Sequence, residues 1–144
     1  MANNYFNIEL PDGWQDQTIY TYMGPEDNGI RHILTLIIDK DIDRMELADF
    51  ARERIDALSE TLQSVEILKD EEKTIPNGRT VHEFVYKWVP VDGQIVFRKN
   101  IFMVIDGVGY TFAGNFTKKT IKTIGSEVDQ IINSFMPGGA TEQI

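Results

Sequence analysis

The alternation of apolar and polar residues divides the chain into strand-like stretches separated by turns. Four dipeptides typical of tight turns interrupt it, namely Asn28-Gly29, Asn77-Gly78, Asp92-Gly93 and Asp106-Gly107. Apolar residues recur at every second position on either side of these turns, which predicts strands near residues 5–10, 17–23, 31–39, 65–73, 79–90, 94–106 and 109–116. Because short turns join consecutive strands, we expect them to be antiparallel.

Two other stretches have apolar residues at every third or fourth position, which is the spacing of one helix face. The first begins at Asp43, and Glu46 follows three residues later as in a capping box. The second runs from about residue 118 to 135, just before Pro137. The order of elements predicts an α+β fold, an antiparallel sheet with two main flanking helices. We expect residues 1–137 to form a single domain and 138–144 a flexible tail.

The third predicted strand is apolar on both faces, which is unusual for a sheet with only two helices. His32, Leu34, Leu36 and Ile38 alternate there with Ile33, Thr35 and Ile37. Two helices can cover one face of such a sheet, so the second apolar face needs another partner. Dimerisation, packing under loops and binding of another protein all remain open on this pattern.

The register between the second and third strands decides which residues share the apolar surface. If residues 24–29 form the connecting loop, Ile19 lies opposite Leu34 and Thr21 lies opposite His32. The predicted binding surface then consists of Ile19, Thr21, Met23, His32, Leu34, Leu36 and Ile38.

The charge and composition exclude several classes of protein. Acidic residues outnumber basic ones 23 to 14, and the formal charge of −9 argues against binding nucleic acid or an anionic membrane. The chain has no cysteine, so it can form no disulfide. It also has neither a signal-peptide pattern at Met1–Tyr5 nor an apolar run of about 20 residues. We therefore expect a cytoplasmic protein without stable membrane association.

No arrangement of residues in the sequence indicates catalysis. His32 and His82 are the only histidines, and no serine or acid stands at the spacing of a known triad. The acidic loop at 39–43 lacks the glycine and the glutamate that a calcium loop needs. We expect no enzyme, no cofactor and no metal. A small-molecule pocket around His82, Tyr86 and Trp88 is the least favoured alternative.

One N-terminal run resembles a known family. Residues 10–19, Leu-Pro-Asp-Gly-Trp-Gln-Asp-Gln-Thr-Ile, and the helix start Leu47-Ala48-Asp49-Phe50 closely resemble the Eag family of type VI secretion chaperones. The resemblance implies a Mog1/PsbP-like fold and a homodimer with a concave apolar surface. It also implies a cytoplasmic chaperone that shields the N-terminal transmembrane helices of a PAAR or Rhs-type effector until loading on the secretion spike.

The same resemblance places Ile19 in the groove that holds the client helices. Thr21 takes the next position, where the family has a bulkier aliphatic residue. His32, Gln94 and Asn100 are candidates for hydrogen bonds to the client. The alternative function is that of a Mog1-like adaptor that binds a folded protein.

Overall fold

Six antiparallel strands and two helices make up the part of the chain that the computed structural model describes, residues 7–14, 17–27, 30–40, 42–62, 64–89 and 95–137. The elements in chain order are β1 (Gln17–Asp27), β2 (Ile30–Asp39), α1 (Leu47–Thr61), β3 (Val65–Thr74), β4 (Thr80–Trp88), β5 (Val96–Ile105), β6 (Val108–Phe116) and α2 (Ile124–Ser134). The strands form one sheet in the order β1-β2-β6-β5-β4-β3. The predicted α+β fold with an antiparallel sheet and two helices is therefore confirmed.

The turns that join neighbouring strands follow the glycine signals where the structure describes them. Asp106 and Gly107 connect β5 to β6 with φ angles of 52° and 77°, the left-handed region that suits a two-residue hairpin. Gly78, with a φ of 90°, closes the turn before β4 by donating its N–H to the Ile75 carbonyl at 2.9 Å. The predicted turns at 28–29 and 92–93 lie outside the described residues.

The predicted strand at 5–10 is wrong for its described part. Residues 7–14 contain no strand, and Pro11 to Trp14 form a turn in which the Trp14 N–H donates to the Pro11 carbonyl at 3.2 Å. Gly13 adopts a φ of 90° in this turn, a conformation that costs glycine little. Residues 5 and 6 and the predicted tail at 138–144 lie outside the described ranges.

Both helices begin later than predicted because local geometry stops them. Asp43 and Arg44 have left-handed φ angles of 56° and 63°, so α1 begins only at Leu47 and the capping box at Asp43 does not form. Before α2, the side-chain oxygens of Thr117 and Thr120 each accept a hydrogen bond from the other residue's backbone N–H. This reciprocal bonding favours turns over a helix at residues 118–123.

The two helices lie on opposite faces of the sheet rather than on one. One core cluster contains α2 with Leu34, Leu36, Val81, Ile101, Met103, Tyr110, Phe112 and Phe116. The other contains α1 with Phe84, Tyr86 and Phe102. Each helix covers only part of its face. The surplus apolar surface that the sequence predicts therefore lies on the uncovered parts.

Gly109 determines how closely α1 approaches the sheet. A Cβ atom at Gly109 would lie 2.5 Å from Cε1 of Phe50, so no larger residue fits without a shift of the Phe50 ring. The Phe50 ring also packs edge-on against Phe102, with ring centroids 6.1 Å apart. Because α1 contacts mainly β4 and β5, the α1-side face of β1 and β2 stays largely uncovered.

None of the helices in the described ranges has the length and apolar character that crossing a membrane requires.

Candidate functional site

A one-residue irregularity in the β1–β2 hairpin divides the predicted binding surface between the two faces of the sheet. Asp27 pairs with Ile30 and Glu26 with Arg31, but Met23 pairs with Ile33, because the register shifts between Met23 and Glu26. Without that shift Met23 would lie opposite Leu34. A slip of one residue reverses the face of every side chain beyond it, so the predicted register is wrong.

The β2 half of the predicted surface is part of the core under α2. His32, Leu34 and Leu36 are buried, and Ile38 is partly buried against the same cluster. His32 is hydrogen-bonded through Nε2 to the Thr120 hydroxyl at 2.9 Å. These residues are closed to a partner on the α1 side, and His32 cannot serve a client there. Gln94 lies outside the described residues.

The β1 half of the predicted surface is open on the α1-side face. Ile19 is 53 % exposed and Met23 is 64 % exposed, and Thr21 between them is also exposed. Their cross-strand partners are Ile37, Ile33 and Thr35. The sequence analysis therefore identified part of an exposed apolar surface but assigned it the wrong neighbours.

The pairing of four adjacent strands produces a row of small side chains across this face. Thr21 pairs with Thr35, Thr35 with Ala113, and Ala113 with Asn100. Directly opposed residues point to the same side of a sheet, so the four side chains form a continuous strip. Exposure falls along the strip from Thr21 at the sheet edge to Asn100, which is buried.

Bulky apolar residues border the small row on both sides at its open end. We define the trough as this floor with its two rims. The floor consists of Thr21, Thr35, Ala113 and Asn100. One rim consists of Ile19 and Ile37, and the other consists of Met23 and Ile33. The rims are four residues apart along each strand, which corresponds to about 13 Å. An α-helix with its side chains is about 10–12 Å wide. The Cα atoms of the two rims are therefore about one helix diameter apart.

Buried polar atoms lie at the inner end of the trough without partners. Asn100 Nδ2 and the hydroxyl of Thr111, which pairs with Ile37, find no hydrogen-bond partner within the described part of the chain. The Nε atom of Arg98, two residues before Asn100, is also buried without a hydrogen-bond partner there. Leaving buried donors unpaired costs free energy, but these atoms are closed to a partner that lies on the open part of the floor.

The residues of the alternative small-molecule pocket have structural partners. His82 Nε2 lies 2.6 Å from an Asp70 carboxylate oxygen, and Arg52 of α1 contacts the same carboxylate at 3.1 Å. Burial raises the pKa of Asp70, but the hydrogen bonds from His82 and Arg52 outweigh it and hold that pKa below its usual range. Tyr86 and Trp88 belong to the core cluster under α1. Within the described ranges, no histidine and acid residues are grouped so that they could hold a metal ion.

Three lysines surround one buried carboxylate on the α2-side face of the sheet. Glu83 of β4 is almost fully buried, and its oxygens lie 3.0 Å from Lys73, 3.2 Å from Lys99 and 3.5 Å from Lys69. Lys99 also donates to Asp129 of α2 at 2.6 Å. Burial raises the pKa of Glu83, but the bond and charge of Lys73 and Lys99 outweigh it and lower that pKa overall. This cluster ties α2 to the sheet.

The described residues form a small α+β protein with a Mog1/PsbP-like fold. Apolar side chains are exposed at the open end of its trough. The chain belongs to the DcrB family, whose profile matches residues 7–134. It is similar to the crystal structure of PA94 from Pseudomonas aeruginosa, a protein of unknown function. The two share 17 % identity over 95 % of this chain and 94 % of that chain, with a TM-score of 0.73, so the similarity concerns the fold alone. None of the curated proteins matches the chain.

The expected membership of the Eag family is wrong, because the matching family is DcrB and neither comparison indicates Eag chaperones. The resemblance depended mainly on residues 10–19, and the described ones before β1 form an exposed turn. Proline, aspartate and glycine are selected by turn geometry in many folds, so this run identifies a turn better than it identifies a family. The expected partner, a type VI effector with a PAAR domain, was implied only by the Eag resemblance and is therefore no longer supported.

Proposed function

We propose that this protein is a binding protein, and not an enzyme, that holds an apolar α-helix of a partner protein in the trough. It acts as a chaperone of that helix in the cytoplasm. The observation that carries the proposal is the row of small side chains between two apolar rims, with exposed Ile19 and Met23 at its open end. An apolar helix in water aggregates, and burying it contributes about 25 cal/mol per Å² of apolar surface.

The chemistry of the floor favours a helix over a folded protein surface. Small side chains such as Thr21 and Thr35 let a helix backbone approach closely, as small residues do between helices in membranes. The exposed side chains of Ile19 and Met23 supply apolar contacts on either side. A mainly apolar helix with small residues on one face satisfies both features.

The length of the trough supports a dimer, in which a second copy pairs through edge strand β1. The open floor of one copy spans only β1 and β2, about 5 Å, because neighbouring strands lie about 4.8 Å apart and Ala113 and Asn100 are buried. Strand β1 exposes apolar side chains on both faces, with Tyr20 and Tyr22 opposite Ile19 and Met23. A two-fold axis near Thr21 would join two open floors across four strands, about 14 Å. That length accommodates about nine residues of a helix, which rises about 1.5 Å per residue.

An aspartate in the trough rim should abolish helix binding. The probe is a synthetic peptide of about 20 leucine and alanine residues, with glycine at every fourth position and lysines at both ends. We expect Ile19→Asp to lower its affinity about 100-fold, because a buried, unpaired carboxylate costs several kcal/mol. Fluorescence anisotropy with the labelled peptide measures the effect.

The matched control for this variant is Ile67→Asp on β3, where the isoleucine is 51 % exposed compared with 53 % at Ile19. It makes the same change on the opposite edge strand of the sheet and should leave the affinity within about threefold, as an independent surface substitution. Equal losses in both variants, or none in either, would contradict the trough. For a natural partner, binding that persists after deletion of its apolar segments would indicate an adaptor for folded proteins instead.

Lysines on the β1 edge should convert the dimer to a monomer. We expect the wild type to be dimeric by light scattering and the double variant Tyr20→Lys/Tyr22→Lys to be monomeric, since opposed lysines prevent edge-to-edge pairing. The control Ile67→Lys/Leu68→Lys changes two exposed residues of the other edge strand, β3, and should remain dimeric. A monomeric wild type at all concentrations would refute the β1 interface and leave the single trough testable with shorter peptides.

A further inference from the structure

A cleft between α2 and strands β3, β4 and β5 lies on the face opposite the trough. It consists of two adjoining cavities of about 390 Å³ and 290 Å³, which share Ser126 and Asp129 as lining residues. The cleft takes no part in the proposed binding of a helix, because α2 and the sheet separate it from the trough.

The cleft is positively charged on a chain whose formal charge is −9. Lys69, Lys99 and Lys122 line the larger cavity and Lys73 lines the smaller one, while Asp129 is acidic in both and Glu83 in the larger. Four lysines thus face two carboxylates. A cleft lined by an excess of one sign of charge concentrates ions of the opposite sign, so this cleft favours anions.

The arrangement of the lysines leaves donors free for a ligand. Lys69 lies 3.5 Å from the single carboxylate of Glu83 and keeps half of its side chain exposed. Each ammonium group has three donors, and one shared carboxylate cannot satisfy the donors of three lysines. A buried ionic cluster is also a poor device for stability alone, since apolar residues of the same volume do as well or better. These features suit a site that meets a further anion.

Part of the lining of the same cavity is apolar. Phe97 of β5, Phe116 of β6 and Ile121 before α2 line it next to Lys122. A ligand that fits this cavity therefore needs an anionic head beside an apolar body, because most small binding sites combine apolar walls with a few placed polar groups.

We propose that this cleft binds a small organic anion in which a carboxylate or phosphate is attached to an aromatic ring or a short apolar chain. The head contacts Lys69 and Lys122, and the apolar body packs against Phe97 and Ile121.

Calorimetric titration with naphthalene-2-carboxylate tests the site, with 2-naphthyl phosphate as a second probe and the neutral naphthalene-2-methanol as a control. We expect the charged probes to bind and the alcohol to bind at least tenfold more weakly, since hydrogen bonds to charged groups are the stronger ones. The stronger of the two charged probes identifies the head group. Lys122→Met should weaken binding about tenfold. Lys118→Met, four residues earlier and outside both cavities, should not.

A variant that fills the larger cavity distinguishes binding inside the cleft from general attraction between charges. Gly125 lines the larger cavity, and a Cβ atom there would contact only Ile121, at 3.7 Å, so Gly125→Leu fills the space without a clash at the backbone. Circular dichroism should show an intact fold, and the charged probes should no longer bind. Equal binding of the alcohol and the anions, equal effects of Lys122→Met and Lys118→Met, or full binding to folded Gly125→Leu would each overturn the proposal.

Discussion

Replacing Glu83 with glutamine is expected to lower the free energy of unfolding by about 3–5 kcal/mol, the usual cost of removing one partner of a buried ion pair. The variant leaves Lys99, whose side chain is 14 % exposed, with Asp129 as its remaining partner, which itself is largely exposed to solvent. Lys73 loses its contact at 3.0 Å as well. Urea unfolding followed by circular dichroism at pH 7 measures the change.

The pH dependence distinguishes a lost ion pair from a packing defect. The folded pKa of Glu83 is below its ordinary value of 4.5, so its contribution is present above that pH and is lost as the pH falls through the folded pKa. We therefore expect the difference between wild type and Glu83→Gln to shrink on acidification. The double variant Glu83→Leu/Lys99→Met should be milder than Glu83→Gln, because it removes the least exposed of the three lysines together with the carboxylate. A pH-independent difference would indicate that packing, and not charge, is lost.

Filling the trough is expected to abolish helix binding without unfolding the protein. Thr35 lies in the middle of the floor, half-buried between Thr21 and Ala113. In Thr35→Phe the ring occupies the space that a helix backbone would enter. We expect the affinity for the leucine–alanine–glycine peptide to fall at least 100-fold, or roughly 3 kcal/mol. The midpoint of urea unfolding should change little, because the added ring points away from the core under α2.

Thr35→Val is the matched control, since it removes the hydroxyl and keeps the shape of the side chain. We expect it to retain the peptide affinity within about threefold, because the proposal assigns recognition to the shape of the trough and not to the Thr35 hydroxyl. If Thr35→Phe binds the peptide as the wild type does, the helix does not lie across the β2 floor. If Thr35→Val loses as much affinity as Thr35→Phe, the hydroxyl and not the shape carries the interaction.

Most strands and the fold class could be predicted because they depend on short-range patterns. Period-2 alternation and glycine turns such as Asp106-Gly107 predicted β2 to β6 nearly to the residue, and the two helical stripes predicted both helices. The starts of α1 and α2 were missed for local reasons. The left-handed backbone at Asp43 and the paired hydroxyls of Thr117 and Thr120 depend on conformation more than on hydrophobic pattern.

The candidate site was predicted only in part, because it depends on which faces meet. Ile19, Thr21 and Met23 were correctly expected to lie on one exposed surface, whereas His32, Leu34, Leu36 and Ile38 belong to the other face. Gly24 and Pro25 lie where the register shifts, and proline lacks the N–H that a regular ladder uses. That Gly-Pro pair was the available signal for the irregularity. Ala113, which belongs to the floor of the trough, is far away in the sequence and carried no signal of its own.

The sequence by itself determined that this chain folds as an antiparallel sheet with two helices and has more apolar strand surface than two helices can cover. These properties follow from local periodicity and turn chemistry, which act over a few residues. Only the tertiary structure decided where the surplus surface lies. One shifted residue in the β1–β2 hairpin set the face of every side chain beyond it, and the placement of α1 and α2 on opposite faces left the trough uncovered.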